Sequence, residues 1–125
     1  MRFARWVFLV SGICGVVIVA PMYFLEARIA RESPPAITHP EIYYGFVGVA
    51  LAWQLMFLVI ASDPVRYRIG MLPAIFEKAS FVAAIAILWA LGRVTGSVIG
   101  FAAFDAVWMV LFTIAFARLS KEIAT

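Results

Sequence analysis

The stretch IYYGFVGVALAWQLMFLVIA, residues Ile42–Ala61, contains 20 residues and no charged side chain. About 20 mainly apolar residues are enough for an α-helix to cross roughly 30 Å of hydrocarbon. A helix also satisfies its own backbone hydrogen bonds in lipid, where an isolated strand could not. The stretch therefore predicts a transmembrane helix.

Three further apolar runs of similar length lie at about residues 3–25, 72–91 and 97–117. The gaps between the runs carry residues that begin helices, namely Pro40 with Glu41, and Asp63 before Pro64. The gap Gly92–Gly96 is so short that the third and fourth spans must be antiparallel neighbours. We predict one all-α domain, residues 1–125, folded as a four-transmembrane-helix antiparallel bundle.

The composition supports this fold class and indicates the first partner. Hydrophobic residues make up 66% of the chain and charged residues 14%, whereas soluble domains average roughly 45–50% and 25%. A small soluble domain could not bury so much apolar surface, so the lipid bilayer is the predicted partner. The basic residues are scattered and form no stripe with aromatic residues, so no nucleic acid partner is predicted.

The distribution of Lys and Arg predicts the orientation, because cytoplasmic loops carry the excess of these residues. One side of the predicted bundle would hold Arg2, Arg5, Arg66, Arg68, Arg118 and Lys121. The other side would hold Arg28, Arg31 and Arg93. Both termini are therefore predicted to be cytoplasmic. The first run is longer than the apolar core of a typical secretory signal, so we interpret it as an uncleaved anchor.

Small residues four positions apart indicate where helices pack closely in lipid. Such pairs are Gly48 with Ala52, Ala79 with Ala83, Gly96 with Gly100, and Ala102 with Ala106. We interpret them as contacts within the bundle, with self-association as the alternative. Trp53 and Trp108 fall well inside their spans, where they would fill the core or line a pocket for an apolar ligand.

Ionisable side chains inside a span are costly and mark candidate functional sites. The candidates are Glu77 and Lys78 in the third span and Asp105 in the fourth. Lys78 is predicted to extend back to the headgroups, with Glu77 paired to a nearby cation. Asp105 is too short to do this, so it needs a polar partner such as Gln54 or a hydrated cavity. These four residues form the predicted polar core.

The chain carries no motif of a common catalytic or cofactor-binding class, such as a phosphate-binding loop or a C-x-x-C pair. His39 is the only histidine and Cys14 the only cysteine, so we predict no metal site and no cofactor. The sequence favours a protein that is not an enzyme, although a membrane enzyme acting through two carboxylates would show no motif.

The segment Pro73–Lys78, the pair Gly92 and Arg93, and the acidic residue in the fourth span resemble the small DoxX-like bacterial inner-membrane proteins. This resemblance covers the layout of the whole chain and implies a location in the bacterial cytoplasmic membrane. More distantly, a four-helix bundle with carboxylates inside it resembles the EXPERA group of sterol isomerases and lipid-binding proteins. This resemblance is too general to assign a role to any residue of the chain.

Three functions are compatible with this pattern. The first is a non-enzymatic protein that binds an apolar small molecule, a membrane partner or a second copy of itself. The second is a carboxylate-based lipid or sterol-type isomerase, in which one acid donates a proton and another group accepts one. The third is a proton-coupled carrier, which would have to be an oligomer because four helices leave little room for a pathway.

Overall fold

The computed structural model describes residues 1–125 and contains five α-helices. They are α1 (Arg2–Val19), α2 (Glu26–Glu32), α3 (Pro40–Ser62), α4 (Met71–Ala90) and α5 (Gly96–Ala124). Four segments are long and apolar enough to cross a membrane: Arg2–Phe24, Pro40–Ser62, Arg68–Ala90 and Gly96–Ala124. The prediction of an all-α bundle of four spans is therefore confirmed.

The helix ends differ from the predicted bounds at two places. The first span ends in a 3₁₀ turn, Ala20–Phe24, which begins beside Pro21. The last helix continues to Ala124, beyond the predicted end at residue 117. The added segment is polar and rich in helix-forming residues, so it extends the helix without being apolar enough to be recognised as part of a span.

The short helix α2 was not predicted, because its seven residues show no apolar run. Electrostatics stabilise it locally. Glu26 lies in its first turn and Arg31 in its last turn, which complements the helix dipole. The Nε of Arg28 donates a hydrogen bond to Glu32 Oε1 at 2.9 Å, and this contact raises the pKa of the guanidinium above its ordinary value.

The connection between α3 and α4 and the connection between α4 and α5 have the predicted form. Asp63 Oδ1 accepts a hydrogen bond from the backbone N–H of Arg66 at 3.1 Å, which caps the turn that leads into α4. Gly92 has a φ of +69°, in the left-handed region where glycine is tolerated without steric cost. The chain reverses there, and α4 and α5 pack against each other as antiparallel neighbours.

The spans form two helical hairpins, α1 with α3 and α4 with α5, which meet mainly through α1 and α5. An ion pair between the Met1 ammonium and Glu122 joins α1 to α5 where both termini lie. We call this the terminal end of the bundle, and we call the end that carries α2 and the Gly92 turn the loop end.

The main core lies in the half of the bundle nearer the terminal end. Phe8, Phe57 and Phe112 are fully buried there. The rings of Phe8 and Phe112 stack with centroids 4.2 Å apart, and Phe57 meets Phe112 edge to face at 4.9 Å. Three helices from both hairpins contribute these rings, so this aromatic cluster holds the two hairpins together.

Two glycines of α1 that were not predicted to pack lie against α3. A Cβ added to Gly12 would lie 2.6 Å from Leu58 Cδ2, and one added to Gly15 would lie 1.8 Å from Gln54 Oε1. In contrast, nothing lies within 4 Å of a Cβ added to Gly96 or Gly100. The prediction of packing within the bundle is therefore wrong for that pair, because α5 turns this face away from the other helices.

Candidate functional site

An ionic cluster lies between α4 and α5 and contains Glu77, Lys78 and Asp105. The ammonium of Lys78 is 3.4 Å from Asp105 Oδ1 and 3.6 Å from Glu77 Oε2. The side chains of Glu77 and Asp105 are 22% and 19% exposed, and that of Lys78 is 6% exposed. One ammonium is thus held between two carboxylates inside a membrane span.

The prediction that Lys78 extends back to the headgroups is wrong. Its ammonium remains within the bundle and also lies 5.3 Å from the centre of the Phe57 ring. If Lys78 left, Asp105 and Glu77 would keep two negative charges in a medium of low dielectric constant. Attraction to both carboxylates, added to the cation–π contact, therefore outweighs the hydration that the headgroup region offers.

Asp105 faces the interior next to the third predicted span and has a polar neighbour there, as the sequence analysis required. That neighbour is Lys78 and not Gln54. Gln54 is buried in the interface of α1 and α3, where its Nε2 donates a hydrogen bond to the Ala50 carbonyl at 2.9 Å. The amide occupies the space left by the missing side chain of Gly15, so Gln54 acts in helix packing.

The cluster contains two carboxylates and one ammonium. With all three groups ionised it would carry one more negative than positive charge. Glu77 Oε2 is buried and accepts no hydrogen bond. It lies 3.6 Å from the Lys78 ammonium, beyond hydrogen-bond distance, so it keeps the capacity to accept a proton or a hydrogen bond. This unsatisfied oxygen is the feature of the cluster that most directly indicates chemistry beyond packing.

Trp53 and Trp108 pack as partly buried side chains against the main core. Their rings lie 6.3 Å from the rings of Phe57 and Phe112, respectively. Neither tryptophan lines the groove between α4 and α5 or the groove between Ile18 and Phe101. Of the two roles considered in the sequence analysis, the contacts therefore favour core filling.

A groove of about 220 Å³ runs along the boundary of α4 and α5 toward the loop end. All eight residues that line it are hydrophobic: Val82, Ile85, Ala86, Trp89, Ile99, Ala102, Ala103 and Ala106. Its four alanines leave the space that larger side chains would fill. The sequence indicates part of this groove, because Ala102 and Ala106 form one of the predicted small-residue pairs.

The groove begins beside the ionic cluster. Ala106 directly follows Asp105 in the sequence, and Val82 lies one helical turn beyond Lys78 on the same face of α4. A molecule in the groove would thus have an apolar wall along most of its length and charged groups near one end.

A second groove, of about 410 Å³, separates the two hairpins near the loop end. Ile18 lines one side, and Gly100, Phe101 and Phe104 line the other together with Ser97. This groove includes Gly100, on the face of α5 that has no neighbour. Most of its lining on α5, Ser97 to Phe101, lies toward the loop end, and Phe104 directly precedes Asp105.

No group of three or more His, Cys, Asp or Glu side chains is arranged to hold a metal ion. His39 is exposed in the loop before α3, with Nδ1 3.5 Å from Glu41 Oε1. Cys14 is partly buried within α1.

The fold defines a small multi-pass helical membrane protein with a buried ionic cluster. Comparison of the chain with protein-family models, with curated proteins and with solved structures gave no match.

Proposed function

We propose that this protein is a non-enzymatic membrane protein that binds an apolar small molecule in the groove between α4 and α5. The observation that carries the proposal is the position of this fully apolar groove directly beside the cluster of Glu77, Lys78 and Asp105. Apolar walls combined with a few converging polar groups are typical of small-molecule sites.

The size of the groove limits the ligand. Sites for drug-sized ligands usually measure about 300 to 1,000 Å³, and this groove measures about 220 Å³. A slender molecule, or one whose remainder stays in the surrounding lipid, fits this volume. The excess negative charge of the neighbouring cluster favours a polar end that donates a hydrogen bond or carries positive charge. The ligand class is therefore a lipid-soluble chain with a donor or cationic end.

Filling the groove tests the proposal. Ala86 and Ala103 line the groove, and both are exposed, so leucine at each position would occupy the space without entering the main core. We expect Ala86→Leu combined with Ala103→Leu to reduce the amount of co-purifying apolar molecule about tenfold, which corresponds to about 1.4 kcal/mol of binding free energy. Extraction of the protein purified from cells, followed by mass spectrometry of the extract, provides the measurement.

The matched control is Ala83→Leu combined with Ala117→Leu. These alanines are also exposed on α4 and α5, but they lie outside the groove. The control should retain the same molecule at the wild-type level. Equal retention by both double variants would refute the proposed site, because the bound molecule would then lie elsewhere on the helices.

A carboxylate-based isomerase is the second candidate, and the pairing of two carboxylates around one ammonium favours it. Such an enzyme needs one group to donate a proton and another to accept it. Glu77→Gln and Asp105→Asn separate the two functions. A binding protein would release its ligand chemically unchanged from both the wild type and these variants. An isomerase would release both its substrate and the isomeric product from the wild type, but only the substrate from an inactive variant.

We also propose that the protein lies in a bacterial cytoplasmic membrane with the terminal end in the cytoplasm. The six basic residues near that end, against three near the loop end, support this orientation. Reporter domains fused at Thr125 and within residues 66–70 should report a cytoplasmic location, and one inserted after Pro35 an external location. An external signal at Thr125 would reverse the assignment.

A further inference from the structure

The two ends of the bundle differ in net charge and in whether their basic side chains form salt bridges. The terminal end carries six basic side chains against two acidic ones, Asp63 and Glu122. The loop end carries three basic and three acidic side chains, and there Arg28 pairs with Glu32. None of the six basic side chains at the terminal end forms a salt bridge. These cations are therefore available to an anionic partner.

Aromatic rings hold two of these cations beside α5. The guanidinium of Arg118 lies 4.6 Å from the centre of the Phe3 ring, and that of Arg68 lies 5.6 Å from the Phe116 ring. Arg68 also donates a hydrogen bond from one Nη to Ser120 Oγ at 2.9 Å. A guanidinium has five N–H donors, so both arginines keep donors for a further acceptor.

The position of these guanidiniums specifies the kind of partner. Phe3 and Phe116 pack against the main core, so a guanidinium on either ring lies at the border between apolar and polar surroundings. Beside Arg68, Ile69 and Leu72 are exposed large apolar side chains. A partner that fits must present an anion at the border and apolar chains alongside the helices. A phospholipid with a net negative headgroup has both features.

We propose that Arg68 and Arg118 bind the headgroup phosphates of anionic phospholipids in the leaflet around the terminal end. The planar guanidinium donates two parallel hydrogen bonds to phosphate oxygens, and the ring beneath it restricts its orientation before the lipid arrives. This site is separate from the groove between α4 and α5 and does not depend on its ligand.

The test uses the full chain in bilayer nanodiscs that contain equal amounts of phosphatidylglycerol and phosphatidylcholine. Native mass spectrometry after release measures which lipid stays bound. We expect the wild type to retain phosphatidylglycerol preferentially. Arg68→Gln combined with Arg118→Gln should lower that preference about 25-fold, because each basic residue near an anionic surface contributes about a fivefold step.

The matched control is Arg31→Gln combined with Arg93→Gln, which removes the same charge from exposed positions at the loop end. It should keep the wild-type preference, and an equal loss in the control would overturn the proposal in favour of net charge alone. If the Arg68 and Arg118 double variant does not fold, Arg118→Gln alone should give a fivefold loss. An unchanged preference in that exposed variant would also overturn the proposal.

Inorganic phosphate distinguishes a lipid headgroup from a free anion. Excess phosphate, compared with chloride at the same ionic strength, should leave most of the bound phosphatidylglycerol in place because the acyl chains add contacts at Ile69 and Leu72. Complete displacement by phosphate would show that the arginines recognise a soluble anion, and the assignment to lipid would be wrong.

Discussion

Lys78→Met is expected to destabilise the bundle by about 3–5 kcal/mol, because removal of one partner from a buried ion pair leaves charge uncompensated. Here the loss would leave both Glu77 and Asp105 without the ammonium that lies within 3.6 Å of each. Methionine keeps the length and flexibility of the side chain, so the change is mainly electrostatic. The free energy of unfolding in mixed detergent micelles, followed by circular dichroism, is the measurement.

The control for this effect is the neutral version of the whole cluster. Glu77→Gln and Asp105→Asn, added to Lys78→Met, should restore most of the lost stability, since neutral groups in place of buried ions are often equally stable. Lys121→Met, at an exposed position, should change stability little. A Lys78→Met variant within about 1 kcal/mol of the wild type would favour the headgroup position for this side chain.

Asp105→Asn alone should have a much smaller effect than Lys78→Met. The remaining Glu77 and Lys78 would balance in charge at their 3.6 Å separation, and asparagine can still accept a hydrogen bond from the ammonium. The comparison matters for function, because an activity lost in this variant while the bundle stays folded would require the ionisable group itself.

Gly15→Ala is expected to destabilise the bundle by about 1–3 kcal/mol through overpacking of the interface of α1 and α3. The new Cβ would lie 1.8 Å from Gln54 Oε1 and 2.4 Å from Gln54 Cδ. Gln54 is buried, so its amide must leave a packed position and give up the hydrogen bond to Ala50. The free energy of unfolding in mixed micelles again provides the measurement.

Two further variants separate this steric effect from a general effect of alanine. Gly100→Ala has open space around the new Cβ and should be neutral or slightly stabilising. Gln54→Ala removes the clashing side chain, so the Gly15 and Gln54 double variant should be more stable than the sum of the single effects by about 0.5–3 kcal/mol. Equal losses in Gly15→Ala and Gly100→Ala would contradict the packing described here.

Sequence reasoning located the charged site only in part. It identified Glu77, Lys78 and Asp105 because charge inside a span is rare. It assigned Lys78 to the headgroups because a long side chain near a span end can usually reach them. Whether Lys78 contacts the headgroups or Asp105 depends on how α4 and α5 are rotated about their axes. In the structure, this rotation places the Lys78 ammonium 3.4 Å from Asp105 Oδ1.

Helix packing was less predictable than helix position. Pairs of small residues four apart suggested Gly96 and Gly100 as contacts, yet the close approach occurs at Gly12 and Gly15, three apart on α1. Spacing alone does not indicate which face meets a neighbour, because lipid tails are as apolar as the side chains of another helix.

The sequence by itself determined the four membrane helices and their approximate limits. Hydrocarbon offers no hydrogen-bond partners, so each apolar run of sufficient length must satisfy its backbone as a helix. The tertiary structure alone decided that α1 pairs with α3 and α4 with α5, that Gln54 packs against Gly15, and that Lys78 joins two carboxylates. The physical reason is that, in lipid, rotation and pairing of helices depend on side-chain fit and buried charge, whereas hydropathy is nearly the same on every face.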